Sequence, residues 1–133
     1  DGIILGSPIY FSDVTGNMRC FLERFMFPFL AYSKTETVDH KRMPLACIYT
    51  MNVDEKEMIE GGYRQNMELW ENFLTWYYSK PLIAYAFNTY QFDDYSKYIC
   101  ETFNEADKAK QREEQFPKDL QNAYELGQKL LKG

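Results

Sequence analysis

The sequence predicts a single α/β domain built on a parallel sheet. Three short, wholly apolar runs carry that expectation: Ile3-Ile4-Leu5, Leu45-Ala46-Cys47-Ile48-Tyr49 and Leu82-Ile83-Ala84-Tyr85-Ala86-Phe87. A run that is apolar on both sides suits a strand covered on both faces, as parallel strands are. Segments with apolar residues at three- and four-residue spacing follow each run. Strands alternating with helical segments imply βαβ crossovers. The chain has 133 residues, 45% hydrophobic and 17% aromatic, which suits one packed domain and argues against disorder.

The first strand opens at once after Asp1-Gly2, and Gly6-Ser7-Pro8 is expected to end it. With no initiator Met and no lead-in, the chain is expected to be part of something longer. The first strand is expected to lack a neighbour on its open edge. Thr15 suits a helix N-cap. Met18, Phe21, Leu22, Phe25, Met26 and Phe29 then make one apolar stripe, with Arg19, Glu23 and Arg24 off it. Pro28 ends or kinks that helix. The polar stretch from Ala31 to Met43 reads as a loop, with His40 a solvated residue among Asp39, Lys41 and Arg42.

Pro44 leads into the second strand, which stops at Thr50-Met51-Asn52. A helix follows Gly61-Gly62, with Tyr63, Met67, Trp70, Leu74 and Tyr77 on its apolar face. The aromatic cluster from Trp70 to Tyr78 reads as core. Pro81 opens the third strand. From Tyr95 to Leu131 the pattern is helical, divided at Pro117, which suits a first turn. Phe116, Leu120, Tyr124, Leu130 and Leu131 are expected to carry the last apolar face.

Composition excludes several classes. The net charge of -5 repels phosphate backbones, so no nucleic-acid partner is expected. No apolar run approaches the ~20 residues that span a membrane, and no secretory pattern opens the chain. Cys20, Cys47 and Cys100 are odd in number, far apart and without a CxxC or His pairing, so neither a disulfide framework nor a zinc site is expected. Reduced thiols fit a cytoplasmic protein.

In open parallel sheets, ligands bind outside the carboxyl ends of the strands. Three segments fall there: Ser7-Pro8-Ile9-Tyr10-Phe11, Thr50-Met51-Asn52 and Asn88-Thr89-Tyr90-Gln91. The first joins a rigid Pro, exposed amides and an aromatic pair, a mix that suits a flat, partly apolar ring with polar edges. Each has a plainer reading: a strand-to-helix turn for the first, and a simple loop for the second in which Asn52 satisfies a turn. Tyr90, Asp93 and Asp94 read as capping and solvated residues before a gate. No side chain is assigned an acid, base or metal-binding role. Cys20 and Phe27, seven residues apart, lie on the side of the first helix away from its stripe. That strip suits a dimer contact or, more plainly, scattered surface residues.

The stretch from Asp1 to Tyr10 resembles the third strand and following loop of the flavodoxin-like NAD(P)H-dependent FMN reductases. Met18-Arg19-Cys20-Phe21-Leu22-Glu23-Arg24 is similar to the helix after that loop, and the spacing of the later strands fits along the whole chain. The resemblance implies a flavodoxin-like three-layer sandwich with a parallel sheet. This chain would supply strands 3, 4 and 5 with their helices, the C-terminal two-thirds of such a domain. It implies FMN as cofactor, with Ser7, Pro8, Ile9, Tyr10 and Phe11 along the ring and ribityl chain, largely through backbone. Thr50, Met51 and Asn52 would approach the ring from the next strand, and Gly61-Gly62 would come near it.

It further implies that the phosphate-binding loop follows a first strand absent from this chain, and that this strand is the missing neighbour. NAD(P)H as electron donor, a small-molecule electron acceptor, and a homodimer or higher oligomer complete the implication. Some relatives carry an iron–sulfur cluster, and none of the three cysteines matches one. Three readings stay open: an FMN-dependent oxidoreductase, a flavin-binding electron carrier without turnover, and a folded piece that oligomerises through its open edge and holds no flavin.

Overall fold

The structure is a computed structural model that describes residues 1–132. Its first strand, β1 (Ile3–Tyr10), continues through Gly6-Ser7-Pro8, past the point where the residue pattern predicts its end. Pro8 is tolerated there for a reason. The Ile3 N–H is donated to the Pro44 carbonyl at 3.1 Å, so alternation turns the main chain of Ile4, Gly6 and Pro8 to the other side of the strand. That side is the outer edge, where a missing N–H breaks no ladder. The chain then reverses at Phe11 and Ser12, whose φ values are 51° and 67°. A two-residue turn of this hand matches the twist of the strands it joins. It leads into β2 (Asp13–Val14), antiparallel to β1, with Ile9 opposite Val14 and Tyr10 opposite Asp13. A neighbour for the end of β1 therefore comes from within the chain. Along Ile3–Pro8 no strand among the described residues pairs with the outer edge.

Thr15 caps α1 (Gly16–Met26) by accepting the Met18 N–H at 3.2 Å. Leu22 and Met26 are buried, while Phe21, on the predicted stripe, is exposed. A short 3-10 turn, Phe27–Phe29, carries Pro28. The loop that follows is irregular as expected, but His40 is not a free solvated residue. Its Nε2 lies 2.6 Å from the Tyr77 carbonyl and its ring stacks on Phe29 at 4.2 Å. Arg42 also donates to carbonyls, of Thr75 and Trp76. Both side chains serve the unpaired carbonyls at the end of a helix, which otherwise need water.

The next strand, β3 (Leu45–Thr50), lies parallel to β1 in the register Ile3 to Leu45 through Pro8 to Thr50. A short helix absent from the sequence reading, α2 (Glu55–Glu60), follows. Asp54 and Glu57 cap it reciprocally. Gly62, at φ 74°, turns the chain into α3 (Tyr63–Tyr77). The last strand, β4 (Leu82–Ala86), pairs parallel with β3, from Ala46–Leu82 to Thr50–Ala86. Tyr95–Lys97 is only a 3-10 turn, and helix resumes at α4 (Glu105–Glu114) and α5 (Phe116–Lys132), with Pro117 at the start of the last as its type predicts.

The result is an α/β protein with an open, mostly parallel sheet in the order β2-β1-β3-β4 and five α-helices among the described residues. One face of the sheet packs Leu5, Ile9, Cys47 and Tyr49 against Leu22, Met67, Leu74 and Tyr78 of α1, α3 and the turn after α3. The aromatic cluster divides: Tyr78 is buried, Trp70 half-buried, and Trp76 exposed. Within α3, Glu71 is buried and takes a two-pronged bond from Arg64 at 2.7 and 2.8 Å. The other face carries α5, whose Leu126 and Leu130 close over Ala46. The expected α5 face is thus corrected: Leu130 is buried, but Leu120, Tyr124 and Leu131 are exposed. The small side chains Ala46 and Ala84 let the helix settle on the turn that bears Leu126 and Leu130. Among the described residues no helix is long and apolar enough to cross a membrane.

Candidate functional site

The carboxyl ends of β1, β3 and β4 lie side by side, and the segments after them form one edge of the molecule. Met51 N–H donates to Ala86 O at 2.9 Å, Asn88 N–H to Val53 O at 2.9 Å and Thr89 N–H to Met51 O at 3.0 Å. These bonds carry the β3–β4 pairing beyond the strands and hold the two loops together. The turn after β1 is tied to α3 by Asn66, whose side-chain amide donates to Ser12 O at 2.9 Å.

Between these segments lies a cleft of about 500 Å³. Pro8, Ile9, Tyr10 and Phe11 line one side and Thr50, Met51 and Asn52 the floor, with Thr89, Tyr90 and Gln91 opposite. Seven of the eight residues predicted from sequence for ring binding meet here. Ser7 does not. It is buried within β1, where its hydroxyl donates to Pro8 O at 2.8 Å and accepts the Thr15 N–H at 3.1 Å. Ser7 therefore joins the strand to the start of α1. The wall also includes Tyr63 and Phe103, which the sequence reading did not place here. Tyr63 had a signal, since it directly follows the Gly61-Gly62 pair. Phe103 had none, because it arrives from an irregular stretch far along the chain.

Two polar features distinguish the cleft. The Asn52 Oδ1 is buried and has no hydrogen-bond partner among the described residues. A buried acceptor left unpaired costs about 1–3 kcal/mol relative to one that is satisfied. Behind the floor, Lys108 of α4 is only 1% exposed and donates to the main-chain oxygen of Asn52. Its ammonium also sits 4.6 Å from the centre of the Phe103 ring. Burial holds the Lys108 pKa below the ordinary lysine range. One buried cation thus fixes both the Asn52 backbone and an aromatic wall.

Tyr90, weighed from sequence as a gate or a solvated residue, donates to the Glu105 carboxylate at 2.9 Å. That bond raises the Tyr90 pKa. Arg112 lies over its ring at 5.5 Å. Asp94 caps the turn at Ser96 and pairs with Lys97, a structural role that leaves it out of the cleft. Phe11 is fully exposed at the mouth, in a backbone conformation few bulky residues adopt. Such conformations gather at ligand-binding sites.

The fold and this cleft define an α/β protein with an aromatic, amide-edged cleft at the carboxyl edge of its sheet. No protein-family model matches the chain, and no curated protein or solved structure matches it.

Proposed function

We propose that this chain forms the ring-binding part of a flavodoxin-like, FMN-dependent NAD(P)H oxidoreductase acting on a small electron acceptor. The observation that carries the reading is the cleft itself: aromatic walls, a Met51 floor, and the unpaired Asn52 acceptor at the carboxyl edge of parallel strands. Those groups fit the flat ring of a flavin. Tyr10, Phe11, Tyr63 and Tyr90 offer faces, and Asn52 offers an acceptor to an N–H on the ring edge. The lining fits the phosphate less well, since it includes no Lys or Arg. The bound flavin would supply the hydride and electron chemistry. The chain's own residues bind the ring, orient it and keep water from its buried face, and none is assigned proton transfer.

The test is a titration of FMN and riboflavin with the purified chain, followed by quenching of flavin fluorescence. Quenching by both flavins to a similar degree supports a site that reads the ring, and Asn52→Leu should weaken it about tenfold or more. Oxidation of NADH or NADPH by the loaded protein then separates an oxidoreductase from a carrier. No quenching by either flavin overturns the assignment of this cleft.

A further inference from the structure

We propose that a second hollow beside the cleft, bounded by Tyr90, the turn after β4 and α4, is a binding site for a small organic carboxylate. The inference is independent of the flavin reading.

The hollow measures about 330 Å³, at the small end of the range for ligand pockets. It shares Thr50, Thr89 and Tyr90 with the cleft. Its other walls are its own: Phe87 and Asn88 after β4, Gln111 and Arg112 of α4, and Phe116 at the start of α5. Tyr10, Phe11 and Asn52 of the cleft do not line it. Tyr90 thus serves as a wall of two neighbouring hollows.

Arg112 is the one Lys or Arg in the lining. It has no ion-pair partner among the described residues. Glu105 stands two turns back on α4, but its carboxylate takes the Tyr90 hydroxyl at 2.9 Å. The Arg112 guanidinium lies over the Tyr90 ring at 5.5 Å. A guanidinium seated on an aromatic face keeps its N–H edge free, and that edge matches a carboxylate with two parallel bonds. A cation in the last turn of a helix also answers the helix dipole. That role asks for no ring beneath the cation and no hollow beside it.

The walls are fixed by bonds of their own. Asn88, at φ 52°, donates its N–H to Val53 O at 2.9 Å. The Gln111 side-chain amide donates to Phe87 O at 3.4 Å and ties α4 to the end of β4. Tyr95 packs edge-on against Tyr90 at 5.0 Å. A site held in this way spends little free energy on ordering when it binds. The lining also selects the ligand. One cation, on a chain of net charge -5, favours a single negative charge over the nearly double charge of a phosphate. Phe87, Tyr90 and Phe116 accept a flat or apolar body, and Asn88 and Thr50 add an amide and a hydroxyl beside it.

The test follows the backbone amides by NMR while benzoate, benzamide or inorganic phosphate is added. Benzoate should shift Asn88, Gln111 and Arg112 most, with a Kd on the order of 1 mM. Benzamide, of the same shape without the charge, should bind about tenfold more weakly or worse, and phosphate more weakly than benzoate. Arg112→Leu should lose about tenfold in benzoate affinity, and Arg112→Lys should keep part of it, since it retains the charge without the fork. Arg112 is exposed, so both variants should keep the remaining spectrum of the folded chain. No shift with benzoate at about 20 mM overturns the proposal. So do shifts centred on Phe11 and Met51 of the cleft, equal binding of benzamide, or an Arg112→Leu variant that binds as the wild type does. Phosphate binding tighter than benzoate overturns the choice of a carboxylate.

Discussion

The two faces of the sheet are built differently. On one, α1 and α3 lie over β1, β3 and β4, and large side chains such as Met67, Leu74 and Tyr78 fill the space between. On the other, α5 covers β3 and β4 with two leucines over alanines, and Ile4 of β1 is 48% exposed. The same strands serve both layers, so the difference arises from what each helix presents. A face packed by large aliphatic and aromatic residues gains dispersion contacts in number. A face built on Ala46 and Ala84 brings the helix close but offers it little to hold. Stability should therefore be concentrated on the α1–α3 side, and tolerance to change on the α5 side.

The sharpest way to break that comparison is a matched pair of truncations. Leu74→Ala should cost near the upper end of the range of about 2–5 kcal/mol for buried leucine truncations, and Leu126→Ala near the lower end. Urea denaturation measures both, and equal losses would refute the asymmetry. The second test uses pH. Burial between β3 and α3 pushes the Cys47 thiol from 9.0 up to about 11. Above pH 9 the unfolded thiol releases a proton that the folded one keeps. That part of the stability is complete below pH 9 and is lost as pH rises through 11, amounting to about 2–3 kcal/mol. Tyr85, raised to about 12 by burial, acts in the same sense at higher pH. Cys47→Ala should flatten the fall in the urea midpoint between pH 9 and 11, and an unchanged slope would place the loss elsewhere.

Asn52→Leu probes the rim between the layers. Its Oδ1 is unpaired, so replacing it with an apolar group of similar size should change stability by less than about 1 kcal/mol. A larger loss would mean that the side chain serves the fold and not the cleft. The smallest effect is expected at Leu131→Ser on the outer side of α5, where the residue is 81% exposed. A change within about 0.5 kcal/mol in thermal or urea unfolding is the expected outcome.

Much of the sheet was legible because apolar runs and turn residues are local signals. The three parallel strands, the Thr15 cap and the Pro117 break all follow from short stretches of sequence. β1 outran its predicted end because Pro is excluded only from inner positions, and which edge a strand occupies is a property of the whole sheet. The helix α2 was hidden in a polar stretch, yet Asp54 and Glu57 at capping-box spacing were there to be read. The α5 face was misassigned because its partner surface is small alanines on distant strands. His40, Glu71 and Lys108 escaped for one shared reason. Charged and polar residue types are mostly exposed, and only a specific partner makes their burial tolerable, a carbonyl distant in sequence for His40 and Lys108 and the Arg64 guanidinium on the same helix for Glu71. At the cleft, the three segments were foreseeable from strand ends alone. Phe103 was not, since tail placement decides it, and for Tyr63 only the preceding Gly61-Gly62 pair gave a sign.

The burial of Lys108 has a chemical consequence. Acylating reagents attack the neutral amines of exposed lysines, and Lys34, Lys41 and Lys80 stand open to them. Lys108 stays shielded for as long as it holds the Asn52 carbonyl. Mass-spectrometric labelling of this one amine would report how often the floor of the cleft comes loose in an otherwise folded chain, making the residue an internal clock for local opening.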